Sequence, residues 1–433
     1  MLLLAILYAG VHGRTKLRME RGEEHYLPST CRWLICSTAS RLTDLRKSSL
    51  LRAAPRFDEK VPVLKSAGLV NIIRRCCHAG TMSDEGDVQE RAEALKRLRS
   101  LLGGMDSSKV TLIGDVMLDR FHHGYANNLD STAPVPVLKI LRSEETPGAA
   151  AHIAMGLNSL GLLVSLHCCV GDDREGKVII EKLSDDGIDT SGVEVVPGRN
   201  TLTKIRFYGS RESLLDKSQI LLQADRGPRE ELTESISASL CASAMSSLSD
   251  SCAIVLSDYD KGVLTPDGAL SLIKAAGDAG IPVIMDPKLT GLEKSRGADA
   301  VLFEIRGLGL LQRRLMASDQ AEAAKNLIET YEWGAMLVLG GVHGVTLYQA
   351  DGETMHLPCS AVAPKQQIGL HDAAATALAA ALGNGHSMTD AATLAAAACE
   401  CVLSAEASHE FVNRTTLGVW LDELAWQLQI SDR

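Results

Sequence analysis

Short apolar runs bounded by turn-forming residues recur through most of the chain: Val110–Ile113, Leu163–Val170, Ala253–Leu256, Pro282–Met285, Ala300–Phe303, Met336–Leu339 and Val345–Leu347. Strands covered on both faces read as continuous apolar stretches, so these runs are expected to be buried parallel strands. Between them the apolar positions change to helical spacing, at Ala149–Leu160, Arg174–Asp185, Glu230–Ser246, Pro266–Gly277, Ser318–Glu332, Asp372–Leu382 and Met388–Ser404. Strand and helix take turns, which predicts an α/β fold with a doubly wound, mostly parallel sheet flanked by helices. Two stretches break the rhythm. Pro134–Leu141 and Thr201–Leu222 contain strand-like alternation too long for a connecting loop, so a small accessory β-sheet is expected there, acting as a lid at the carboxyl ends of the main strands.

Charge divides the chain near residue 80. Residues 1–80 carry 14 Lys and Arg against 6 Asp and Glu, and the remainder carries 30 against 48. The basic segment opens with the apolar run Leu2 to Val11, too short to span a bilayer and long enough for the core of a secretory signal. Arg-rich stretches with hydroxyl residues follow, such as Arg46-Lys47-Ser48-Ser49, a composition found in organelle transit peptides. Residues 1–80 are therefore set apart as a targeting region, with a disordered tail as the alternative, and a soluble protein of a plastid or mitochondrion is expected. Residues 81–106 form a charged helical lead-in, with helical spacing over 83–102 ended by Gly103-Gly104, and the main domain spans residues 107–430. Its acidity argues against nucleic acid or an anionic membrane as partner, since both require a positive patch. A small molecule or a protein is the expected partner. The 11 cysteines show neither zinc-ligand nor disulfide-framework spacing, so free buried thiols are expected.

The candidate chemistry follows the first strand. Gly114-Asp115-Val116-Met117-Leu118-Asp119 puts carboxylates at a strand's carboxyl end, where they are placed to accept hydrogen bonds from sugar hydroxyls; a turn with a capping Asp is the plainer reading. Further along stand Ala133-Pro134-Val135-Pro136-Val137, Pro147-Gly148-Ala149-Ala150-Ala151-His152, Gly171-Asp172-Asp173, Thr201-Leu202-Thr203-Lys204-Ile205-Arg206, Ser257-Asp258-Tyr259-Asp260-Lys261-Gly262 and Asp286-Pro287-Lys288.

In this order and spacing the chain resembles the pfkB (ribokinase-like) carbohydrate kinases, most closely the kinase domain of the bacterial heptose-7-phosphate kinase/adenylyltransferases. The resemblance covers about residues 107–430, and no adenylyltransferase-like stretch is read before Arg433. It implies that Asp119 binds sugar hydroxyls and that the turn from Gly148 to His152 closes over the sugar. It also implies that Thr203, Lys204, Arg206, Asp258 and Lys261 surround the acceptor. Lys204, Arg206 and Lys261 are candidate partners of a sugar phosphate, because a phosphate requires cations. The family's turn reads Gly-Gly followed by Asn, where this chain has Gly148-Ala149 and His152, so a different sugar preference is expected.

The donor side departs further. The family's Thr-Gly-Ala-Gly-Asp run holds the transferring phosphoryl group on backbone N–H groups, and its Asp is the base for the acceptor hydroxyl. Here Ile368-Gly369-Leu370-His371-Asp372 aligns with it: Asp372 is retained as the candidate base, while Leu370 and His371 add bulk. Any left-handed residue among them is expected to cost about 1–2 kcal/mol. Glu304 and Gly307 stand where the family carries the Asn and Glu that organise Mg2+ through water, Leu339-Gly340 replaces a Thr-Arg or Thr-Lys pair, and Ala407-Ser408 replaces a Gly-Thr near the adenine. Loss of a single preorganised anion donor costs roughly 10²–10³ in rate.

Other signals are set aside. Leu339–Gly344 lacks the Lys-Ser/Thr of a P-loop and reads as a hairpin turn. His122-His123 has no further ligands nearby, Cys399 and Cys401 read as packing residues, and no metal site is assigned. Asp372 also has a reading as a mere helix cap. Three functions remain: an impaired kinase that retains a sugar-phosphate pocket, binds ATP poorly and serves as a sensor or assembly subunit; an active kinase using ATP and Mg2+, with Asp372 as base and Glu304 recruiting the metal by another route; and a purely structural protein. The resemblance also implies a homodimer formed through the lid.

Overall fold

The computed structural model describes residues 16–18, 24–26, 85–105, 107–211, 218–361, 368–405 and 411–431. The chain divides into two units, Met1–Thr81 and Met82–Arg433. In the first, β1 (Lys16–Arg18) pairs antiparallel with β2 (Glu24–Tyr26). The rest of the expected targeting region lies outside the described residues, as does the Ala407-Ser408 pair.

The second unit starts with α1 (Glu85–Leu101) and β3 (Lys109–Gly114), followed by the long strands β4 (Val116–Leu129) and β5 (Pro136–Ala149) and helix α2 (Ala150–Ser159). Then come β6 (Leu163–Gly171), α3 (Arg174–Asp185), β7 (Val193–Val196), β8 (Thr203–Ser210), β9 (Gln219–Arg226) and α4 (Glu234–Ser247). The middle of the unit repeats strand and helix as β10 (Ala253–Ser257), α5 (Pro266–Asp278), β11 (Val283–Asp286), β12 (Ala300–Glu304), α6 (Ile305–Leu315) and α7 (Gln320–Tyr331). It ends with β13 (Ala335–Leu339), β14 (Val345–Gln349), β15 (Thr354–Leu357), α8 (Leu370–Gly383), α9 (Met388–Ser404) and α10 (Arg414–Ser431).

Nine strands form the main sheet in the order β15-β14-β13-β12-β11-β10-β3-β6-β7. From β7 to β13 all pairings are parallel, whereas β14 and β15 are antiparallel. Val345–Leu347 was expected among the parallel strands and is not one. A parallel crossover takes a dozen residues or more, and only the tight turn Gly340–Gly344 separates β13 from β14. That turn is a hairpin, as expected from its glycines, with Gly344 at φ 80°.

Side chains alternate across the sheet and feed two cores. Leu112, Val255, Ile284, Leu302 and Leu337 pack on the face covered by α2, α8 and α9. Ile113, Leu256, Met285, Phe303 and Val338 pack on the opposite face with residues of α4, α5, α6 and α7. The Ala-rich sequence of α8 explains its closeness to both neighbours. Ala373, Ala374, Ala377 and Ala380 are fully or almost fully buried against α9 and the sheet, and Gly156 of α2 leaves room for Thr376. Bulkier residues would force these helices apart.

The accessory sheet has the order β5-β4-β8-β9. β4 starts and β5 ends inside the core, where Val116 pairs with Ala149, and at the other end of the pair Leu129 and Pro136 are exposed. The expected turn from Gly148 to His152 is therefore the junction where a strand enters a helix. Ala149 adopts φ 56° and ψ −130° there, a conformation suited to the second glycine that the resemblance implies. Such backbone costs on the order of 1–3 kcal/mol. Ala149→Gly is expected to raise stability by up to about 1 kcal/mol, after the greater unfolded-state freedom of glycine is subtracted. Urea denaturation measures this, and a loss of stability would show that the methyl group's packing outweighs the strain.

Candidate functional site

The chain reverses its direction of travel across the sheet between β6 and β10, on either side of β3. Ligand crevices form at the carboxyl ends of strands beside such a reversal. The ends of β3, β10, β11 and β12, the root of the lid and the start of α8 meet there. Close backbone approach makes this possible: a Cβ on Gly114 would stand 2.2 Å from the Ser257 carbonyl oxygen.

Asp115, almost wholly buried, accepts hydrogen bonds from the backbone N–H groups of Tyr259 (2.9 Å) and Lys261 (3.1 Å). Burial lifts its pKa to about 6 despite those two bonds. It thus fixes the loop after β10. Asp258 is equally buried and serves the same loop from below, accepting from Asp260 N–H at 2.9 Å with Lys294 Nζ 3.0 Å from its other oxygen. Its carboxylate is occupied by the protein itself, outside the clefts described below.

Asp119 sits on β4 next to Arg206 of β8, joined by a buried ion pair. Burial raises the pKa of Asp119, opposed by Arg206 and Lys204 and reinforced by Asp372. Its second oxygen packs on Gly148, where a Cβ would lie only 2.1 Å away. Arg206 also stacks over Phe121, 5.4 Å from the ring centroid, and its Nη1 is spent on Asp119, which it orients. Beside this pair opens a cleft of about 340 Å³ lined by Met117, Thr203, Lys204, Asp225, Arg226, Tyr259, Lys261 and Lys288. Three lysines and an arginine line it with one carboxylate, and the arginine, Arg226, is also paired with Glu175 at 3.2 Å and Asp173 at 3.6 Å.

A second cleft, of about 400 Å³, shares Tyr259 and Lys288 with the first. Lys288 Nζ lies 4.0 Å from the centre of the Tyr259 ring, and the two side chains form the partition. Burial and the nearby carboxylates hold the Tyr259 phenol well above its ordinary pKa. The rest of the second cleft is Asp286, Leu289, Phe303, Glu304, Gly307 and the start of α8 from Gly369 to Asp372. Gly369 alone carries the left-handed conformation, at φ 85°, while Leu370 and His371 are helical. The backbone cost expected for these two substitutions is therefore not incurred; their bulk remains.

Asp372 is buried, has one oxygen without a hydrogen-bond partner, and does not cap its helix. Its other oxygen is 3.1 Å from His152 Nδ1, though not aligned as a hydrogen bond. Burial disfavours the His152 cation, yet the carboxylates of Asp372 and Asp119 outweigh it and the pKa is raised. His371 Nδ1 is 2.8 Å from Asp286 Oδ1. Glu304 is exposed at the mouth, 4.0 Å from Arg306, and Gly340 belongs to the β13–β14 hairpin, outside this lining.

The sequence pattern described as pfkB family carbohydrate kinase matches residues 107–413. The chain belongs to the pfkB carbohydrate kinases. This pfkB chain is similar to the bifunctional protein HldE of Paramagnetospirillum magneticum, 35% identical over 308 residues that cover 71% of this chain and 61% of that protein. HldE of Photobacterium profundum is 33% identical over 313 residues, 71% of this chain and 62% of that one. The chain thus spans about three fifths of the length of these relatives. Among solved structures it is similar to Arabidopsis thaliana ribokinase complexed with ribose and ATP, with a TM-score of 0.57, 17% identity, and coverage of 73% of this chain and 99% of that one. Escherichia coli phosphofructokinase-2 in complex with substrates and products gives a TM-score of 0.59, 16% identity and coverage of 73% and 99%. At these identities the likeness is one of fold, and the fold is ribokinase-like.

Kinases of this family use ATP and Mg2+. Lys288, His371 and the helix start in the second cleft are of the kind that suits phosphates, and Asp372, with its buried unpartnered oxygen, is of the kind that suits a hydroxyl. Among the described residues there is no group of three or more His, Cys, Asp or Glu able to hold a metal directly. Thr203, Lys204 and Lys261 line the first cleft as part of the set singled out in the sequence, whereas Arg226 and the partition by Lys288 were missed. The Asp286-Pro287-Lys288 motif was the available signal for Lys288. Arg226 had none, because its place depends on Glu175, which holds its guanidinium at 3.2 Å from another element. His122 and His123 stack on Phe207 and Tyr208 in the lid, and Cys399 and Cys401 are buried.

Proposed function

We propose that this pfkB protein binds a sugar phosphate in the smaller cleft and transfers phosphoryl groups far more slowly than its fold allows. One observation carries the first half: Lys204, Arg226, Lys261 and Lys288 surround a cleft whose single lining carboxylate is Asp225, next to the sugar-type carboxylate Asp119. A neutral sugar does not call for that excess of cations, and a phosphorylated one does. The similarity to HldE makes a heptose 7-phosphate the substrate class of first choice. The second half rests on Leu370 and His371, which crowd the place where small residues would present backbone N–H groups to the donor, and on Glu304 and Gly307 at the metal-organising positions. Such a protein is a sensor or an assembly subunit. The active-kinase reading keeps one observation in its favour, the buried and unpartnered oxygen of Asp372, a residue that lines the cleft. In that reading Asp372 removes the proton of the acceptor hydroxyl, while bound ATP and Mg2+ supply the phosphoryl group and its charge neutralisation.

Pairing through the lid is part of the same proposal. Leu129, Val137, Ile140, Leu141, Ile220 and Leu222 expose between 46% and 68% of their surface on the accessory sheet. Apolar area of this kind on neighbouring strands marks a protein interface. Sedimentation is expected to show a dimer that Ile140→Asp with Leu222→Asp converts to a monomer; an unchanged mass would place any interface elsewhere.

Calorimetric titration with heptose 7-phosphate and fructose 6-phosphate tests the binding site. Lys204→Ala is expected to weaken binding by about tenfold, the worth of one charge-assisted hydrogen bond. Gly148→Ala, which drives a methyl into Asp119, is expected to weaken it at least as much. Asp372→Asn leaves sugar-phosphate binding in place and abolishes any ATP turnover; if turnover survives, Asp372 is not the base. Failure of the wild type to bind any sugar phosphate contradicts the proposal and favours a structural role.

A further inference from the structure

Two histidines flank Asp372 in the chain's fold, and they differ in what they leave open. His152 is buried, with its Nδ1 turned toward Asp372. His371 is about one third exposed, lines the larger cleft and spends only Nδ1 on Asp286. When Nδ1–H donates to a carboxylate, the other ring nitrogen is a bare lone pair in the neutral imidazole and an N–H donor in the cation. A cleft anion therefore sees repulsion from one form and a charged donor in the other.

We propose that His371, braced by Asp286, binds the terminal phosphates of a nucleoside triphosphate together with Lys288, taking over a task that backbone N–H groups perform where small residues occupy this helix start. The inference rests on the reading of the larger cleft as the donor site and adds the residue that holds the anion there. The geometry supplies three supports. His371 and Lys288 line the same cleft of about 400 Å³. Asp372 keeps a buried oxygen without a partner on that cleft, beside the proposed anion site, where an acceptor hydroxyl is needed. Gly369 keeps the left-handed conformation that starts the helix, so the first turn, with His371 in it, still borders the same cleft.

The charges around His371 favour its cation. Asp286 at the end of β11 and Asp372 on the same helix raise its pKa, against burial and Lys288, which lower it. Glu304 adds a carboxylate at the mouth and Tyr259 lines the opposite partition, its phenol un-ionised across the neutral range. The positive end of the α8 dipole opposes the cation, an effect on the order of 0.3–1 kcal/mol at an exposed helix end. A raised histidine pKa means that the cation and its contribution are present below the raised value and are lost as pH climbs through it. ATP affinity is therefore predicted to fall with rising pH in a range where ATP's own charge is nearly constant.

Calorimetric titration of the full chain with ATP at pH 7 and pH 9 tests this, using wild type, His371→Gln and Asp286→Asn. Wild type is expected to bind about tenfold more weakly at pH 9 than at pH 7, the loss of one charge-assisted hydrogen bond. His371→Gln at pH 7 is expected to match wild type at pH 9 and to show little pH dependence. Asp286→Asn, which keeps an acceptor for Nδ1–H and removes the charge, shifts the fall in affinity to lower pH. The proposal is overturned if His371→Gln binds ATP as wild type does at pH 7, if it retains the full pH dependence, or if neither protein binds ATP at either pH. Heptose 7-phosphate titrated into the same samples reports separately on the sugar-phosphate reading: binding there alongside a negative ATP result removes only the role of His371.

Discussion

Five carboxylates, Asp115, Asp119, Asp258, Asp286 and Asp372, are buried in one region where four strands and a helix end, and each needs a compensating partner. An uncompensated buried carboxylate costs several kcal/mol and protonates instead. The structure answers each in a different way. Two backbone N–H groups serve Asp115, Arg206 serves Asp119, Lys294 serves Asp258, His371 serves Asp286 and His152 stands against Asp372. Only the first relies on neutral donors, and burial lifts its pKa to about 6 against the pull of those hydrogen bonds. This constraint explains the two histidines together. Each occupies a position where the resemblance implies an uncharged residue, and each gives a buried carboxylate a partner that can carry charge.

The two clefts, proposed as acceptor and donor sides, meet at Tyr259 and Lys288, which belong to both. On the proposed acceptor side, Asp119 packs on Gly148, is held by Arg206, and is influenced by the charge of Lys204, which lines the smaller cleft. On the donor side, side chains fill space that a phosphoryl group would otherwise share with backbone N–H groups. Transfer depends on positioning and charge stabilisation, so the contact proposed for His371 would restore binding more readily than rate.

The sheet was legible because both of its faces are covered. Continuous runs such as Ala253–Leu256 and Ala300–Phe303, short and bounded by turn residues, read as strands buried on both faces, and Arg174–Asp185 carries its own cap in Asp173. The lid was legible as strands but not in extent, because β4 follows β3 after a single residue and no turn signal separates them. Helices α6 and α10 escaped: Gly307 and Gly309 interrupt the first, and the second carries exposed Val419 and Trp426 that blur its apolar stripe. At the site, residue types were readable and pairings were not. The sequence puts Arg206 among the phosphate candidates, yet its side chain reaches back from its register partner Phe121 to pair with Asp119, and Arg226 and Lys288 join the cleft lining.

The most direct measurement is a crystal structure of the protein grown with a heptose 7-phosphate and a non-hydrolysable ATP analogue. The account predicts sugar hydroxyls on Asp119, the sugar's phosphate among Lys204, Arg226 and Lys261, and the analogue's terminal phosphate against His371 and Lys288. A sugar phosphate bound elsewhere, or both clefts empty at saturating ligand, would contradict it.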